Sequence, residues 1–135
     1  MKSAFHLALH VTDLDETRRF HGDVLGWTEG RSTETPVDFF GHQMSLPLGT
    51  PLETARTGKV GDHMGMMPHM GAAPGLDDWK TPVARLQGGG IDFAIPPVFR
   101  FNGQPGEECT AFFRDLSGNP PEIKGLADTS GILAS

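Results

Sequence analysis

Two stretches of the chain follow the same order of segments, and this repeat is the feature that most constrains the fold. Each stretch opens with a histidine on a short apolar run, at His6 and again 63 residues later at His69. Each continues with a Leu-Asp pair typical of a helix start and reaches a glycine suited to a helix end. Short extended segments follow in both. The order predicts a β-α-β-β-β module that occurs twice, with sheet faces around one cleft.

The first module begins with an apolar run of strand length. If this run is extended, His6, Ala8 and His10 share one face, because side chains alternate along a strand. Asp13 is the expected N-cap of the following helix, and Gly26 is its expected end. Further strands are predicted at 27–29, 37–40 and 43–46.

The second module repeats this plan. A helix is predicted from Leu76 to the glycines at 88–90, with Trp79, Val83 and Leu86 as its apolar face. We expect Pro82 early in this helix, where its missing N–H costs least. Strands are predicted at 69–73, 91–95 and 110–113 and from Glu122 onward.

These boundaries predict one α+β domain: module one (4–50), a connector (51–67), module two (68–126) and a tail (127–135). A chain of 135 residues suffices, because a domain of this size buries roughly two-thirds of its unfolded surface. The connector has weak periodicity and is surrounded by methionines. It is interpreted as a lid or partner surface, or as a mobile loop whose methionines fill the core.

Composition excludes several classes of function. A net charge of −6 and a pI near 5.4 argue against nucleic acid or an anionic membrane as the main partner. We find no apolar stretch near membrane-spanning length and no apolar signal-peptide core at the N-terminus. The single cysteine, Cys109, cannot form an internal disulfide and is interpreted as structural. A cytoplasmic location is therefore predicted.

Two histidines and one glutamate are the candidate metal ligands. Glu122 follows the turn at 115–119 and opens an extended segment, as His6 and His69 do. Each has an alternative reading when taken alone: a core histidine, or a carboxylate paired with Lys124. Together, two imidazoles and a carboxylate suit Fe(II), Mn(II), Ni(II), Co(II) or Zn(II) and leave coordination positions open.

Other polar residues have weaker signals. His10 shares the predicted face of His6 and is a candidate acid/base, or else a plain buried histidine. Arg100 is a candidate for binding an anionic substrate oxygen, or else a loop arginine paired with Glu107 or Glu108. The remaining histidines, at positions 21, 42 and 63, are predicted at the surface.

Four segments and the closing glutamate resemble the vicinal oxygen chelate superfamily, which includes glyoxalase I, extradiol dioxygenases and bleomycin- or fosfomycin-resistance proteins. The segments are 6–15, 23–26, 68–71 and 115–119, the last followed by Glu122. The resemblance extends from about residue 4 to 126, and its closing motif is the most specific part.

This resemblance implies two βαβββ modules that form a half-barrel around one divalent metal, with His6, His69 and Glu122 as ligands. It implies a small-molecule substrate whose vicinal oxygens chelate the metal, and it favours a homodimer. Among the candidate metals the ligand set favours Fe(II).

The sequence departs from the family pattern at two places. Serine, at Ser45, stands where glyoxalase-like members carry a second glutamate, so three ligands are expected and an extradiol-dioxygenase-like reaction is favoured. Gln43 has the same strand parity and is a candidate catalytic or substrate-binding residue. Pro120 and Pro121 precede Glu122 and are interpreted as marking an edge strand.

Two other functions remain open at this stage. A metal-free or vestigial member would bind a small molecule, as resistance proteins do, and the acidic charge would suit a cationic compound. A metal-dependent glyoxalase or epimerase would need a base beside the metal, for which His10 or a group near Gln43 is available.

Overall fold

The computed structural model describes residues 3–29, 36–60, 62–104, 106–130 and 132. These residues form nine strands and two α-helices, so the α+β fold class is confirmed. No described helix reaches the length and apolarity that crossing a membrane requires.

The chain divides into two compact units. Unit 1 comprises Met1–Glu53 and Arg114–Asn119, and unit 2 comprises Thr54–Phe113 and Pro120–Ser135. The turn before the predicted ligand Glu122 therefore belongs to unit 1, whereas the segments on both sides of it belong to unit 2.

Unit 1 contains a three-stranded sheet. Its strands are β1 (His6–Ala8), β2 (Val37–Phe39) and β3 (His42–Ser45). They lie in the order β1-β3-β2, with β1 parallel and β2 antiparallel to β3. The strand predicted at 27–29 is reduced to a single bridge between Glu29 and Val37. As the alternation predicted, His6, Ala8 and His10 are exposed and Val11 is buried.

The first helix, α1 (Leu14–Arg18), continues as a π-helical segment, Arg19–Val24. Asp13 is its N-cap as predicted, since its side chain accepts a 2.9 Å hydrogen bond from the Glu16 amide. His21 is only 3% exposed, so the predicted surface position is wrong. The wider π-turn changes which positions face the core, and a period of 3.6 residues does not describe it.

The turn at 115–119 is fixed within unit 1 by buried polar groups. The Asn119 side-chain amide donates to the His10 carbonyl and to the Asp115 carboxylate, both at 2.9 Å. Its oxygen accepts a 3.4 Å bond from the Leu52 amide. Asn119 therefore connects the turn to His10, which follows β1, and to Leu52, which follows β3.

Unit 2 begins with a hairpin of β4 (Ala55–Val60) and β5 (His63–Met67). The interpretation of this stretch as an irregular connector is therefore wrong. Met66 is buried, as a core-filling methionine would be, whereas Met64 and Met67 are about half exposed.

The second sheet of unit 2 has four strands in the order β6-β9-β8-β7. The strands are β6 (Met70–Ala72), β7 (Phe93–Arg100), β8 (Glu108–Phe113) and β9 (Pro121–Leu126). Because β9 lies between β6 and β8, the edge-strand interpretation of Pro120 and Pro121 is wrong. Pro121 is the first residue of its strand, a position that tolerates the missing N–H.

The second helix, α2 (Leu76–Gly88), covers one face of this sheet. Trp79 donates from its indole nitrogen to the Ile123 carbonyl at 2.8 Å, and a Cβ added at Gly125 would meet the same side chain. Pro82 is buried in the middle of α2, so its predicted place early in the helix is wrong. There it removes one helical hydrogen bond in exchange for apolar packing.

The two units repeat one topology. In the three-stranded sheet of unit 1 and the four-stranded sheet of unit 2, the first strand pairs in parallel with the last, and the last pairs antiparallel with the one before it. In unit 2, β7 lies at the edge of the sheet beside β8. In unit 1, the bridge between Glu29 and Val37 occupies the equivalent place beside β2. The βαβββ repeat read from the sequence corresponds to this shared order.

Candidate metal centre

His69 and Glu122 lie together in unit 2, as the sequence predicted. Glu122 is the second residue of β9, and His69 immediately precedes the paired strand β6. The His69 Nε2 atom lies 3.2 Å from the Glu122 Oε2 atom. Parallel pairing of the two strands therefore brings one imidazole and one carboxylate within the range of a shared ligand.

The orientation of the His69 ring is set by a backbone carbonyl. Its Nδ1 atom lies 2.8 Å from the Met66 carbonyl oxygen, which can only accept, so Nδ1 carries the proton. In the neutral ring, Nε2 then presents a lone pair to the Glu122 carboxylate. Two acceptors at 3.2 Å require a proton or a cation between or beside them. An N–H donated to a carbonyl is also the usual support of a metal-binding histidine.

Gly71 permits the close approach of these strands. It pairs with Glu122 across β6 and β9, and a Cβ at this position would lie 2.5 Å from the Glu122 carbonyl oxygen. Any larger residue would push the backbone of the candidate ligand away. Gly71 belongs to the segment at 68–71, but no sequence pattern indicates this steric role.

Burial makes the Glu122 carboxylate costly as an isolated charge. The side chain is 9% exposed, and this burial raises its pKa above the ordinary value for glutamate. The charges of Lys124 and His69 and the hydrogen bond from His69 lower the pKa, and the Glu108 charge raises it. A bound cation would compensate the buried charge.

His6 has a comparable support in unit 1. Its Nδ1 atom lies 2.8 Å from the side-chain oxygen of Gln43, its partner across β1 and β3. With that oxygen as acceptor, Nδ1 carries the proton and Nε2 is the available donor atom. Gln43 thus orients His6, and its predicted catalytic and substrate-binding roles remain predictions.

His10 lies at the end of the same exposed face. Its Nδ1 atom is 3.1 Å from the Thr50 carbonyl oxygen, and its ring lies where a Cβ on Gly49 would be. The alternative of a buried histidine is wrong, because His10 is exposed. Its predicted acid/base role is not tested by these contacts.

The closing strands of the two modules can be compared by register. Gly71, two residues after His69, pairs with Glu122, and Ala8, two residues after His6, pairs with Ser45. Ser45 therefore occupies the position equivalent to Glu122. The module in unit 1 supplies a hydroxyl where that in unit 2 supplies a carboxylate.

Arg100 forms an ion pair rather than standing free. Its guanidinium lies 3.0 Å from the Glu108 carboxylate and 5.3 Å from the centre of the Phe101 ring. It is the last residue of β7 and not a loop residue. Glu108 engages the Nη1 atom of Arg100, so this nitrogen is not free to bind a substrate. The predicted role of Arg100 in substrate binding remains a prediction.

A cleft of about 650 Å³ opens beside the His69–Glu122 pair in unit 2. Strands β6, β8 and β9, the β7–β8 loop and the segment after β9 contribute to it. Its polar lining comes from His69, Glu108, Glu122, Lys124 and Asp128, and its apolar lining includes Ala72, Ala73, Leu126 and Ile132.

Solved structures provide the comparison with known proteins. The chain is similar to a glyoxalase/bleomycin resistance protein/dioxygenase from Alicyclobacillus acidocaldarius, with 28% identity and a TM-score of 0.73 over 96% of this chain and 95% of that chain. The chain has the vicinal oxygen chelate fold. The superfamily resemblance seen in the sequence is thereby confirmed.

Other structures similar to this chain are fosfomycin resistance proteins named FosX. That from Listeria monocytogenes is 17% identical, with a TM-score of 0.66 and 93% of each chain covered. That from Mesorhizobium loti is 16% identical, with a TM-score of 0.63 and 99% of each chain covered. No protein-family profile matches the chain, and no curated protein sequence matches it.

The residues of this chain fit a metal in part. His69 and Glu122 form a ready pair, and His6 has its Nε2 atom available in the other unit. Among the described residues, no group of three or more His, Cys, Asp or Glu side chains converges on one point. The donor chemistry of the pair, an imidazole nitrogen 3.2 Å from a buried carboxylate, is what favours a cation there.

Proposed function

We propose that this protein is a metal-dependent enzyme in which His6, His69 and Glu122 bind one divalent cation. The observation that carries the proposal is the His69–Glu122 pair, in which a Nε2 lone pair faces a buried carboxylate at 3.2 Å. The geometry of His69 supports it further, because the Met66 carbonyl holds the ring in the tautomer that a metal needs.

The proposed substrate is a small molecule with two adjacent oxygens. When bound, the cation would supply Lewis acidity toward these oxygens. Gln43 would hold His6 in its ligating tautomer, and the cleft beside Glu122 would receive the substrate. His10, exposed on the face of His6, would give or take a proton.

Among reactions we favour an extradiol-dioxygenase-like ring opening with Fe(II), although Mn, Ni, Co or Zn would suit the same donors. Ser45 supports this choice, since its register makes it the equivalent of Glu122 and it offers no carboxylate. Two histidines and one carboxylate leave positions for substrate and oxygen. A cytoplasmic homodimer is part of the same proposal.

Metal analysis of anaerobically purified protein tests the assignment. We expect about one equivalent of metal in the wild-type protein and loss of it in a His69→Ala, Glu122→Gln double variant, because two ligands of three are removed. His63→Ala is the matched control, since His63 is exposed on β5. Stoichiometric metal retained by the double variant would sink the proposal. Oxygen uptake with catechols then tests the reaction.

A second candidate is a resistance-type protein that binds a small molecule without a metal. The similarity to the FosX fosfomycin resistance proteins favours considering it. Ligand-induced thermal stabilisation that a chelator leaves unchanged would select this candidate. A metal-dependent glyoxalase or epimerase is the third, and turnover without oxygen uptake would distinguish it.

A further inference from the structure

The four-stranded sheet of unit 2 has one covered face and one open face. Helix α2 covers the face of Gly125, against which Trp79 packs. Because side chains alternate along a strand, Glu122 and Lys124 point to the opposite face, which lines the cleft. On β8, Thr110 lies directly across from Lys124 on this same face.

Lys124 brings a positive charge to this cleft, where it also lowers the pKa of the Glu122 carboxyl. It is half-buried, and it is the one lysine or arginine among the described residues that line the cleft. No hydrogen bond or ion pair engages its ammonium group within the described part of the chain. The charge is therefore available to a ligand.

The acidic residues of the cleft are already engaged. Glu108 pairs with Arg100 at 3.0 Å, and the exposed Asp128 accepts bonds from the Ser130 amide and hydroxyl at 2.8 Å and 2.6 Å. Glu122 faces His69 and, in the proposed function, the cation. Ser130 is neutral, so Asp128 keeps its charge, whereas Lys124 is the cationic side chain that lines the cleft without an ion pair among the described residues.

Thr110 provides an independent observation beside Lys124. Its hydroxyl is fully buried, yet it has no hydrogen-bond partner among the described residues. A buried hydroxyl is normally satisfied, and an unsatisfied one at a site is typical of a group that a ligand or water completes. Thr110 and Lys124 are cross-strand neighbours, so a group bound at Lys124 would lie next to the strand position of Thr110.

We propose that Lys124, with Thr110 beside it, binds an anionic oxygen group of the substrate, such as a carboxylate. The inference rests on the proposed function and narrows its substrate class to vicinal-oxygen compounds that carry an acidic group. Residues two apart on a strand are separated by about 7 Å. The acidic group would therefore lie about one small-molecule length from the atoms that contact the metal at Glu122.

Two catechols that differ by one carboxylate test this inference. Catechol and 3,4-dihydroxybenzoate present the same adjacent hydroxyls, and their dissociation constants are measured by calorimetry on Mn(II)-loaded protein. We expect 3,4-dihydroxybenzoate to bind at least about tenfold tighter to the wild-type protein, because a charge-assisted hydrogen bond is gained. Lys124→Gln should abolish this preference.

Lys80→Gln is the matched control, because Lys80 is exposed on α2 and pairs with Asp77. It should keep the full preference. Equal affinity of the two probes for the wild-type protein, or a preference that survives Lys124→Gln, would overturn the inference.

The same titration on metal-free protein separates this inference from the metal proposal. If no metal binds, the metal site fails, and 3,4-dihydroxybenzoate is titrated alone. Binding that Lys124→Gln abolishes then supports the inference, and binding that it leaves unchanged, or no binding, overturns it.

Thr110→Val adds a readout that a purely structural threonine would not give. We expect a higher melting temperature, because an unsatisfied buried hydroxyl is replaced by a methyl group of similar size. We also expect a severalfold weaker preference for 3,4-dihydroxybenzoate. A Thr110→Val protein with an unchanged preference would remove Thr110 from the proposed site.

Discussion

The closing strands of the two units, β3 and β9, have the same register but carry different side chains at the equivalent position. Strand β3 pairs in parallel with β1, which begins at His6. Strand β9 pairs in parallel with β6, which follows His69. In unit 1 the equivalent pair is Ala8 and Ser45, and in unit 2 it is Gly71 and Glu122. Backbone pairing thus repeats while the donor group does not, so the proposed metal site would take its carboxylate from unit 2 alone.

The histidines of the two units are also supported differently. The Met66 backbone carbonyl fixes His69, whereas the side chain of Gln43 fixes His6. A backbone support is present whatever the sequence, but a side-chain support is open to substitution. His6, the ligand proposed in unit 1, is therefore the histidine whose orientation a single substitution can release.

The largest effect is expected from giving unit 1 the carboxylate of unit 2. Ser45 is 5% exposed, so Ser45→Glu places a charge without a partner in a buried site. We expect the free energy of unfolding of the metal-free protein to fall by about 3–5 kcal/mol in urea denaturation. Added Mn(II) should restore part of the loss. Ser45→Gln separates size from charge, and an equal loss in both variants would contradict the explanation.

A smaller effect is expected from giving unit 2 the alanine of unit 1. Gly71→Ala would bring a Cβ to 2.5 Å from the Glu122 carbonyl oxygen, so the strands must separate. We expect a loss of about 1–3 kcal/mol in the free energy of unfolding, together with weaker metal binding. Gly88→Ala is the control, because a Cβ there has no neighbour within 4 Å. Equal stability of the two variants would show that the close approach is not needed.

Removing the side-chain support of His6 should have a moderate effect on metal binding. Gln43→Leu deletes the 2.8 Å hydrogen bond that holds the Nδ1 proton. Loss of such a support lowers metal affinity by about 10–100-fold, which competition with a fluorescent chelator can measure. Gln87→Leu is the control, since Gln87 is exposed on α2. Unchanged affinity in Gln43→Leu would separate His6 from the metal.

The smallest effect concerns the titratable group that unit 1 buries. Burial lowers the pKa of His21 from its model-peptide value of 6.5, against the hydrogen bond to Thr17 and the Asp115 charge. The unfolded chain then takes up the proton first, so His21 contributes stability above about pH 6.5 that is lost as the pH falls. Unfolding free energies between pH 7.5 and 5 should fall less steeply in His21→Gln than in the wild-type protein. His42→Gln, exposed in unit 1, should follow the wild-type slope.

The regular parts of the fold could be predicted because local signals agreed with tertiary packing. Asp13 caps α1, and Trp79 and Leu86 form the buried face of α2, both as expected from spacing. The sequence also predicted that Glu122 and His69 share one site, because each lies at the start of a predicted strand. The contacts that complete this pair, from the Met66 carbonyl and Gly71, involve backbone atoms that a sequence pattern does not reveal.

The missed elements share a physical cause. Strands β4 and β5 contain Gly58 and Gly65 and expose residues on both faces, so no alternation marks them. Pro96 and Pro97 lie inside β7, where proline normally argues against a strand. The π-helical segment moved His21 into the core. In each case tertiary contacts outweighed the local preference.

The path of the chain around Asn119 determines how this protein could be divided into fragments. The chain leaves unit 2 after Phe113, contributes the turn to unit 1, and returns at Pro120. A genetic cut between residues 53 and 54 would not separate two self-sufficient pieces, because the C-terminal piece would carry a buried asparagine whose partners, His10 and Leu52, lie on the other. The two halves are suited to a split-protein reporter, in which each piece completes its structure only when both are present.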